Sequence, residues 1–317
     1  MPSWHPTATL ETLRARAAML AHIRQFFAER DVLEVETPLL SSSTVTDPHV
    51  VGIPAIFKNS SQEKMLYLQT SPEYAMKRLL AAGYGSIYQL GKAFRQGDLG
   101  KKHNPEFTML EWYRIGFDHH ALMDEMDDFL KKILETSSAE RISYQDLFEK
   151  QLGCDPHTAP IEELEKIAKQ KINFKSALSA RHAWLDLLFT HCIEPLVGQE
   201  KPIFIYDFPV SLAALARIRP ENPPVASRFE VYFRGIELAN GFHELEDAKE
   251  QRQRFVADLQ QREQLQLPPV AIDEYFLAAL QHGFPSCAGV ALGVDRLMML
   301  KLKHQTIAEV MSFGFES

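Results

Sequence analysis

Leu10, Leu13, Ala17, Leu20 and Phe27 recur at helical spacing, which predicts an amphipathic helix over 9–29. The run VLEVETP then takes on strand character and stops at Pro38, which has no amide hydrogen for a central ladder. Ser, Thr and Pro dominate 41–60, a long loop with room for short strands. LYLQT reads as a short strand, and Pro72 opens a helix through Leu80, the early position that proline tolerates.

SIYQLGKAF and EFTMLEWYRIGF flank the polar segment QGDLGKKHNP and predict an antiparallel hairpin with a long, charged loop. Residues 118–200 read as mostly helical, with runs over 118–136, 143–152, 161–171 and 179–194. IFIYDF is a strand, and RFEVYF with IELANGF forms a second hairpin turning at Arg234-Gly235. Helices follow at 247–264 and 271–282, and CAGVALGVDRLMML is a strand running into a helix. Antiparallel hairpins interrupted by helices, without βαβ alternation, give an α+β class. No linker divides the chain, so 1–317 is expected to be one domain with a helical insertion near 118–200.

The composition, 45% apolar and 24% charged, is that of an ordinary globular protein. Three cysteines (Cys154, Cys192, Cys287) lie far apart without zinc-ligand spacing, and read as thiols of a reducing compartment. His191-Cys192 is better explained by a packed helix face than by a metal. The N-terminal stretch lacks the features of a signal peptide, and no run approaches the ~20 apolar residues of a membrane span. A cytoplasmic location is expected. The net charge of −8 argues mildly against dedicated RNA binding.

Three segments carry candidate chemistry. By the two-residue period, Gln89, Gly91, Ala93 and Arg95 share a face of the first hairpin's first strand, and Phe107, Met109, Glu111 and Tyr113 share a face of its second. An aromatic, a carboxylate and a phenol beside an arginine suit a nucleotide and a cationic substrate; a surface hairpin with one packed face is the plainer explanation. In GIELANGFHEL, Glu237 and Glu244 are seven apart, so a regular strand puts them on opposite faces. A bend at Asn240-Gly241 would bring them to one side, where they could hold Mg²⁺ or an ammonium; otherwise they are solvated edge carboxylates. In GVALGVDRLMML the strand ends at Gly293, Asp295 is placed to cap the next helix, and Arg296 lies in its first turn, an anion-favouring arrangement that also occurs without function.

Taken together, VLEVETPLL, AFRQGDLGKKHNPEFTMLEWY and GVALGVDRLMML resemble, in order, the three signature motifs of class II aminoacyl-tRNA synthetases. TSPEYAMKRLL, HNPEFTMLEWY and GIELANGFHELEDAKEQRQRF resemble the lysyl enzymes in particular. The resemblance spans about Val32 to Gly314. It implies a class II synthetase catalytic core, a six-stranded antiparallel sheet flanked by helices, and a homodimer through the first motif. It also implies an ATP-dependent ligase that forms an aminoacyl-adenylate. Arg95 and Arg296 would bind the α- and γ-phosphates, with Glu237 as the third catalytic residue, holding ATP and Mg²⁺. Gln96, Gly97, His103, Asn104, Leu238 and Gly293 would complete the ATP site, with Phe107 stacked on adenine. Ser71, Pro72, Glu73, Tyr113, Glu244 and Ala291 would bind the amino acid. Glu73 would take the near amine, and Tyr113 and Glu244 the distal ammonium; Glu237 and Glu244 are the candidate Mg²⁺ ligands.

Three departures from the lysyl pattern define the relative. Only about 32 residues precede the first motif, too few for an anticodon-reading OB barrel, so tRNA is not expected as a partner. Ser71 and Ala291 stand where Ala and Gly are usual, which changes the pocket by a hydroxyl and a methyl. The acid usual in the second motif is missing at Gly97, with Asp98 one residue later. These features resemble the branch of lysyl-type paralogues that modifies elongation factor P. That branch implies activation of (R)-β-lysine and its transfer to a lysine side chain of elongation factor P, a tRNA-shaped acceptor that the Lys101-Lys102-His103 loop could contact. The alternative is a truncated lysyl-type enzyme that charges tRNA or another small acceptor.

Overall fold

Thr9 caps the first helix, α1 (Leu10–Ala28), by accepting a hydrogen bond from the Thr12 amide at 3.2 Å. The computed structural model describes residues 4–172, 174, 178 and 180–315. The buried face of α1 is Thr12, Met19, Ile23, Phe26 and Phe27; Leu10, the head of the predicted stripe, is 65% exposed. The aromatics at the end of the helix decide this. Phe27 stacks on Tyr88 at 4.3 Å and meets the edge of Trp112 at 5.3 Å. Each such buried ring stabilises the fold by roughly 1.5–3 kcal/mol.

The strands after α1 are β1 (Leu33–Glu34), β2 (Leu40–Ser41), β3 (Pro54–Lys58) and β4 (Glu63–Leu68). Helix α2 (Glu73–Ala81) begins directly after Pro72, as predicted. The first hairpin is β5 (Ile87–Phe94) with β6 (Glu106–Ile115). Then come α3 (His119–Leu134), β7 (Glu140–Ser143), α4 (Tyr144–Leu152), α5 (Ile161–Ile172) and α6 (Arg181–Leu188). Of the predicted 179–194 helix, position 179 lies outside the described residues, and 189–193 continue α6 as a π-turn. The remaining elements are β8 (Ile203–Pro209), β9 (Ile218–Arg219), β10 (Val225–Phe233), β11 (Ile236–His243), α7 (Ala248–Gln264), α8 (Glu274–His282), β12 (Cys287–Gly293) and α9 (Val294–Leu302).

The main sheet has nine strands in the order β1-β5-β6-β12-β11-β10-β8-β7, with β9 on β10; β2-β4-β3 form a second sheet. The expected six-stranded antiparallel sheet is therefore corrected to a larger, mixed one. Two pairs are parallel, β1 with β5 and β7 with β8. Both have a physical origin in long connections between the paired strands, the second sheet with α2 between β1 and β5 and helices α4 to α6 between β7 and β8, which parallel pairing requires and a hairpin reading overlooks.

The chain falls into two compact units, 1–116 with 246–286 and 291–317, and 117–245 with 287–290. The predicted insertion at 118–200 lies inside the second. The first unit holds the β5–β6 hairpin, α9 and the α2–α8 contact, where Tyr74 stacks on Phe276 at 4.7 Å. The core of the second is built from Tyr144, Phe148, Trp184, Leu185, Leu188 and Ile205. Its hairpin turns where expected: Arg234 and Gly235 both have left-handed φ, 51° and 63°. Those values match the tight turn that suits the strand twist.

Candidate active site

The register of the first hairpin sets Ala93 opposite Phe107, Gly91 opposite Met109 and Gln89 opposite Glu111, so the two predicted faces are one surface. On it, Glu111 is 2% exposed. Its Oε1 accepts from the Tyr113 hydroxyl at 2.6 Å, and its Oε2 accepts from the Ser71 hydroxyl at 2.7 Å. Ser71 also accepts from the Glu73 amide at 3.0 Å, and Glu73 pairs with the buried ammonium of Lys77 at 2.7 Å. Ser71, Glu73 and Tyr113 therefore come together around Glu111, the carboxylate that the hairpin pattern offered for a cationic substrate and that the family resemblance left without a role. Burial, then the Glu73 charge, push Glu111 up to about 7, although the Tyr113 and Ser71 hydrogen bonds pull the other way. Two carboxylates and a phenol at one place suit a cationic amino acid. Ser71, Pro72 and Glu73 also line a cavity of about 250 Å³ with Ser43, Tyr74 and Arg78.

Arg95 follows β5, and its amide donates to Pro105 at 2.9 Å. Its guanidinium lies 5.3 Å from the centre of the Phe107 ring. The Arg95 Nε is buried and has no hydrogen-bond partner among the described residues. A buried donor without an acceptor costs about 1–3 kcal/mol, a deficit that a phosphate oxygen removes. Gln96 and Gly97 are exposed, and Gly97 has φ of 85°, a left-handed turn that disfavours the acid usual there. Asn104 is buried, its amide donating to the Glu106 carbonyl at 2.6 Å and accepting from the Phe315 amide at 2.9 Å.

Gly293 is the N-cap of α9, without a side-chain cap, and Arg296 lies in the first turn. Arg296 Nη2 is 2.6 Å from His103 Nε2, and its Nε donates to the Lys102 carbonyl at 3.3 Å. Asp295 does not cap this helix, contrary to expectation. Buried to 1% exposure, it accepts from the Thr108 amide at 2.6 Å and pairs with Arg16 at 2.7 Å. A carboxylate that reaches a strand amide and a guanidinium has stronger partners than its own helix start. Ala291 is half-buried on β12.

In the second unit, Glu237 and Leu238 lie on β11 and Glu244 follows its end. The predicted bend exists, but not at Asn240-Gly241. The register steps from Val231–Ala239 to Tyr232–Glu237, so the extra residue is Leu238. One bulge between Glu237 and Glu244 restores the same face by parity. Their separation nevertheless remains roughly 20 Å along the strand, too far to share one Mg²⁺. That pairing is corrected. The closer partner for Glu237 is Glu230, which is 8% exposed on β10. Glu230 accepts from the Tyr232 hydroxyl at 2.6 Å and is paired with Arg228, and Tyr232 is the residue opposite Glu237. Burial raises the Glu230 carboxyl; Arg228 opposes the rise and the Glu237 charge adds to it. Its sequence signal was a charged residue inside the apolar run FEVYF. Glu244 is buried, its amide donating to the Cys287 carbonyl at 3.0 Å.

The family model for class II tRNA synthetases (D, K and N) matches residues 5–317. The chain belongs to this family. Particular relatives match over nearly their whole length. A protein named elongation factor P–(R)-β-lysine ligase from Vibrio cholerae is 54% identical over 98% of this chain and 98% of its own. Relatives of the same name from Vibrio vulnificus, at 53%, and Edwardsiella ictaluri, at 51%, are likewise covered over 98% of their lengths. The chain is thus a class II synthetase-like ligase. No helix of the described residues is long and apolar enough to cross a membrane.

Proposed function

We propose that this chain activates (R)-β-lysine with ATP as the β-lysyl-adenylate and transfers the β-lysyl group to a lysine side chain of elongation factor P. The observation that carries this is the 51–54% identity, end to end, to ligases of that name. The pocket supports it. Glu73 would take the amine near the reacting carboxylate, while Tyr113 and Glu111 would take the distal ammonium.

In the first step, a carboxylate oxygen of β-lysine attacks the α-phosphorus of ATP, a new P–O bond forms, and pyrophosphate leaves. Negative charge gathers on the phosphates. Arg95 at the α-phosphate and Arg296 at the γ-phosphate are the preorganised positive groups for it. In the second step, the neutral ε-amine of the acceptor attacks the carbonyl carbon, AMP leaves, and an amide forms with release of a proton. When bound, Mg²⁺ would offset the polyphosphate charge, with Glu237 and Glu230 as its carboxylate ligands. The exposed apolar side chains Leu33, Leu39, Leu40, Ile56 and Phe57 support a homodimer through the first-motif region. The three free cysteines fit the cytoplasm.

The deciding experiment is ATP–pyrophosphate exchange with α-lysine and with (R)-β-lysine, followed by transfer to elongation factor P and to tRNA. Exchange that prefers β-lysine, and transfer to the protein alone, are expected. No exchange with either amino acid would end the enzyme assignment. tRNA charging as efficient as protein modification would move the acceptor back to RNA.

A further inference from the structure

Outside the residues assigned above, the second unit holds a cluster of chemistry-bearing side chains. Helix α3 opens with His119 and His120, and Asp207 reaches them from β8. One ligand atom from each of these three residues lies within 4.8 Å of the others. Asp207 is where it is because β8 is irregular there. The pairing with β10 jumps from Phe208–Ala226 to Tyr206–Phe229, and Asp207 has φ of 60°. Left-handed backbone at a non-glycine residue in a strand is strained, and such bulges re-aim side chains. Here the carboxylate is aimed at His119, with Oδ1 3.1 Å from Nε2.

His119 is 2% exposed, and its hydrogen bonding does not close. Nε2 lies 3.1 Å from the Asp207 carboxylate, which asks it to donate, and 3.0 Å from Nη1 of Arg219, which asks it to accept. Nδ1 is buried without a hydrogen-bond partner among the described residues. No single tautomer satisfies all three. A cation that took the Nε2 lone pair and the Asp207 oxygen would satisfy both at once.

The spacing suits such an ion. Tetrahedral zinc with bonds of about 2.0–2.2 Å holds neighbouring ligand atoms roughly 3.3 Å apart, close to the observed 3.1 Å. His120 packs against His119 with ring centres 4.1 Å apart and is exposed, which gives an approach from solvent and freedom to rotate in. The competing positive group has another partner. Arg219 donates to Asp207 Oδ2 at 2.7 Å, and also to Glu221 at 2.7 Å. On leaving the histidine it would keep the Glu221 carboxylate.

We propose that His119, His120 and Asp207 form a binding site for a divalent transition-metal ion, zinc foremost, which Arg219 closes when no ion is bound. Two imidazoles and a carboxylate select zinc, cobalt or nickel over the hard Mg²⁺ that accompanies a nucleotide. None of its three residues is among those assigned to the ligase reaction.

The test uses tag-free full-length protein titrated calorimetrically with Zn²⁺ alone, with the visible spectrum of Co²⁺ as a second readout. One ion per chain is expected, with cobalt bands of tetrahedral type. His120→Ala, a change at an exposed position that leaves folding intact, and Asp207→Asn should each weaken zinc by about tenfold or more. Arg219→Gln removes the competitor and should tighten it. The assignment is overturned if neither wild type nor Arg219→Gln binds stoichiometric zinc. It is equally overturned if His120→Ala and Asp207→Asn bind as wild type does.

Discussion

The Ser71 hydroxyl donates a 2.7 Å hydrogen bond to Glu111, joining the start of α2 to the floor of the β5–β6 hairpin. That bond favours the charged carboxylate in a place where burial raises it to about 7. The charged form is the one that attracts an ammonium, so the KM for the amino acid should fall as pH rises through about 7. In Ser71→Ala the carboxylate loses a donor and its titration moves upward. The KM at pH 7 should rise about fivefold, as expected for one hydrogen bond of ~1 kcal/mol, and the midpoint of its pH profile should move to higher pH. A midpoint that stays in place would separate Glu111 ionisation from binding.

The same raised carboxylate makes stability depend on pH. A folded value above the ordinary 4.5 means that the folded chain holds the proton more tightly. This contribution is fully present below 4.5 and is lost as pH rises through about 7. Glu111→Gln keeps a neutral, hydrogen-bonding side chain and removes that loss. Whatever its offset at pH 4.5, the variant should gain on wild type by roughly 3 kcal/mol between there and pH 8. Urea unfolding at both pH values measures the difference. A constant gap would place the titration elsewhere.

Asp295 ties three elements together: α1 through Arg16, β6 through the Thr108 amide, and α9, of which it is part. Removing one partner of a buried pair leaves the other desolvated, so Asp295→Ala should lose about 2–3 kcal/mol in urea unfolding. Arg296 is the next residue. Its approach to phosphate depends on the α9 start being held, so the KM for ATP should rise more than that for the amino acid. Equal changes in both would show a purely global effect.

The hairpins were legible because alternation and turn chemistry are local. Arg234-Gly235 demands its turn, and the residues that share a face within β5 and within β6 follow from the two-residue period. Arg95 and Arg296 were singled out by motif resemblance, and their roles rest on the proposed reaction. What escaped depends on contacts distant in sequence. Ser71 and Glu111 meet only in the folded chain, and the partners of Asp295 are 187 and 279 residues away. The parallel pairs β1–β5 and β7–β8 leave no local mark either. Likewise, the bulge at Leu238 is invisible in IELANGF, where the glycine draws attention to the wrong place.

Gly241 has a different use. A Cβ there would sit 2.4–2.5 Å from the Phe229 ring and 3.0 Å from the Gly289 carbonyl. Phe229 is fully buried and opposite Gly241 in the β10–β11 ladder, so neither the ring nor the strand can yield freely. Gly241→Ala should lower stability by about 1–3 kcal/mol through overpacking, read as a fall in Tm. Phe229→Leu in the same chain frees ring volume and should recover part of the loss. No recovery would place the strain at the Gly289 carbonyl instead.

Ala291 bears on which amino acid is used. It is half-buried on β12, two residues before the Gly293 cap of α9, at a position where the lysyl pattern has glycine. In the proposed substrate pocket its methyl would narrow the space for the substrate backbone, and one methyl in a tight pocket changes selectivity by ~1–3 kcal/mol. In β-lysine the reacting carboxylate stands one carbon farther from the amine than in α-lysine, so the two place it differently when Glu73 holds the amine. Ala291→Gly should therefore raise kcat/KM for α-lysine about tenfold in pyrophosphate exchange, with a smaller change for β-lysine. Circular dichroism and Tm check that the added backbone freedom has not loosened β12. If the ratio of the two substrates is unchanged in a variant of wild-type stability, the discrimination lies at Ser71 and Glu111.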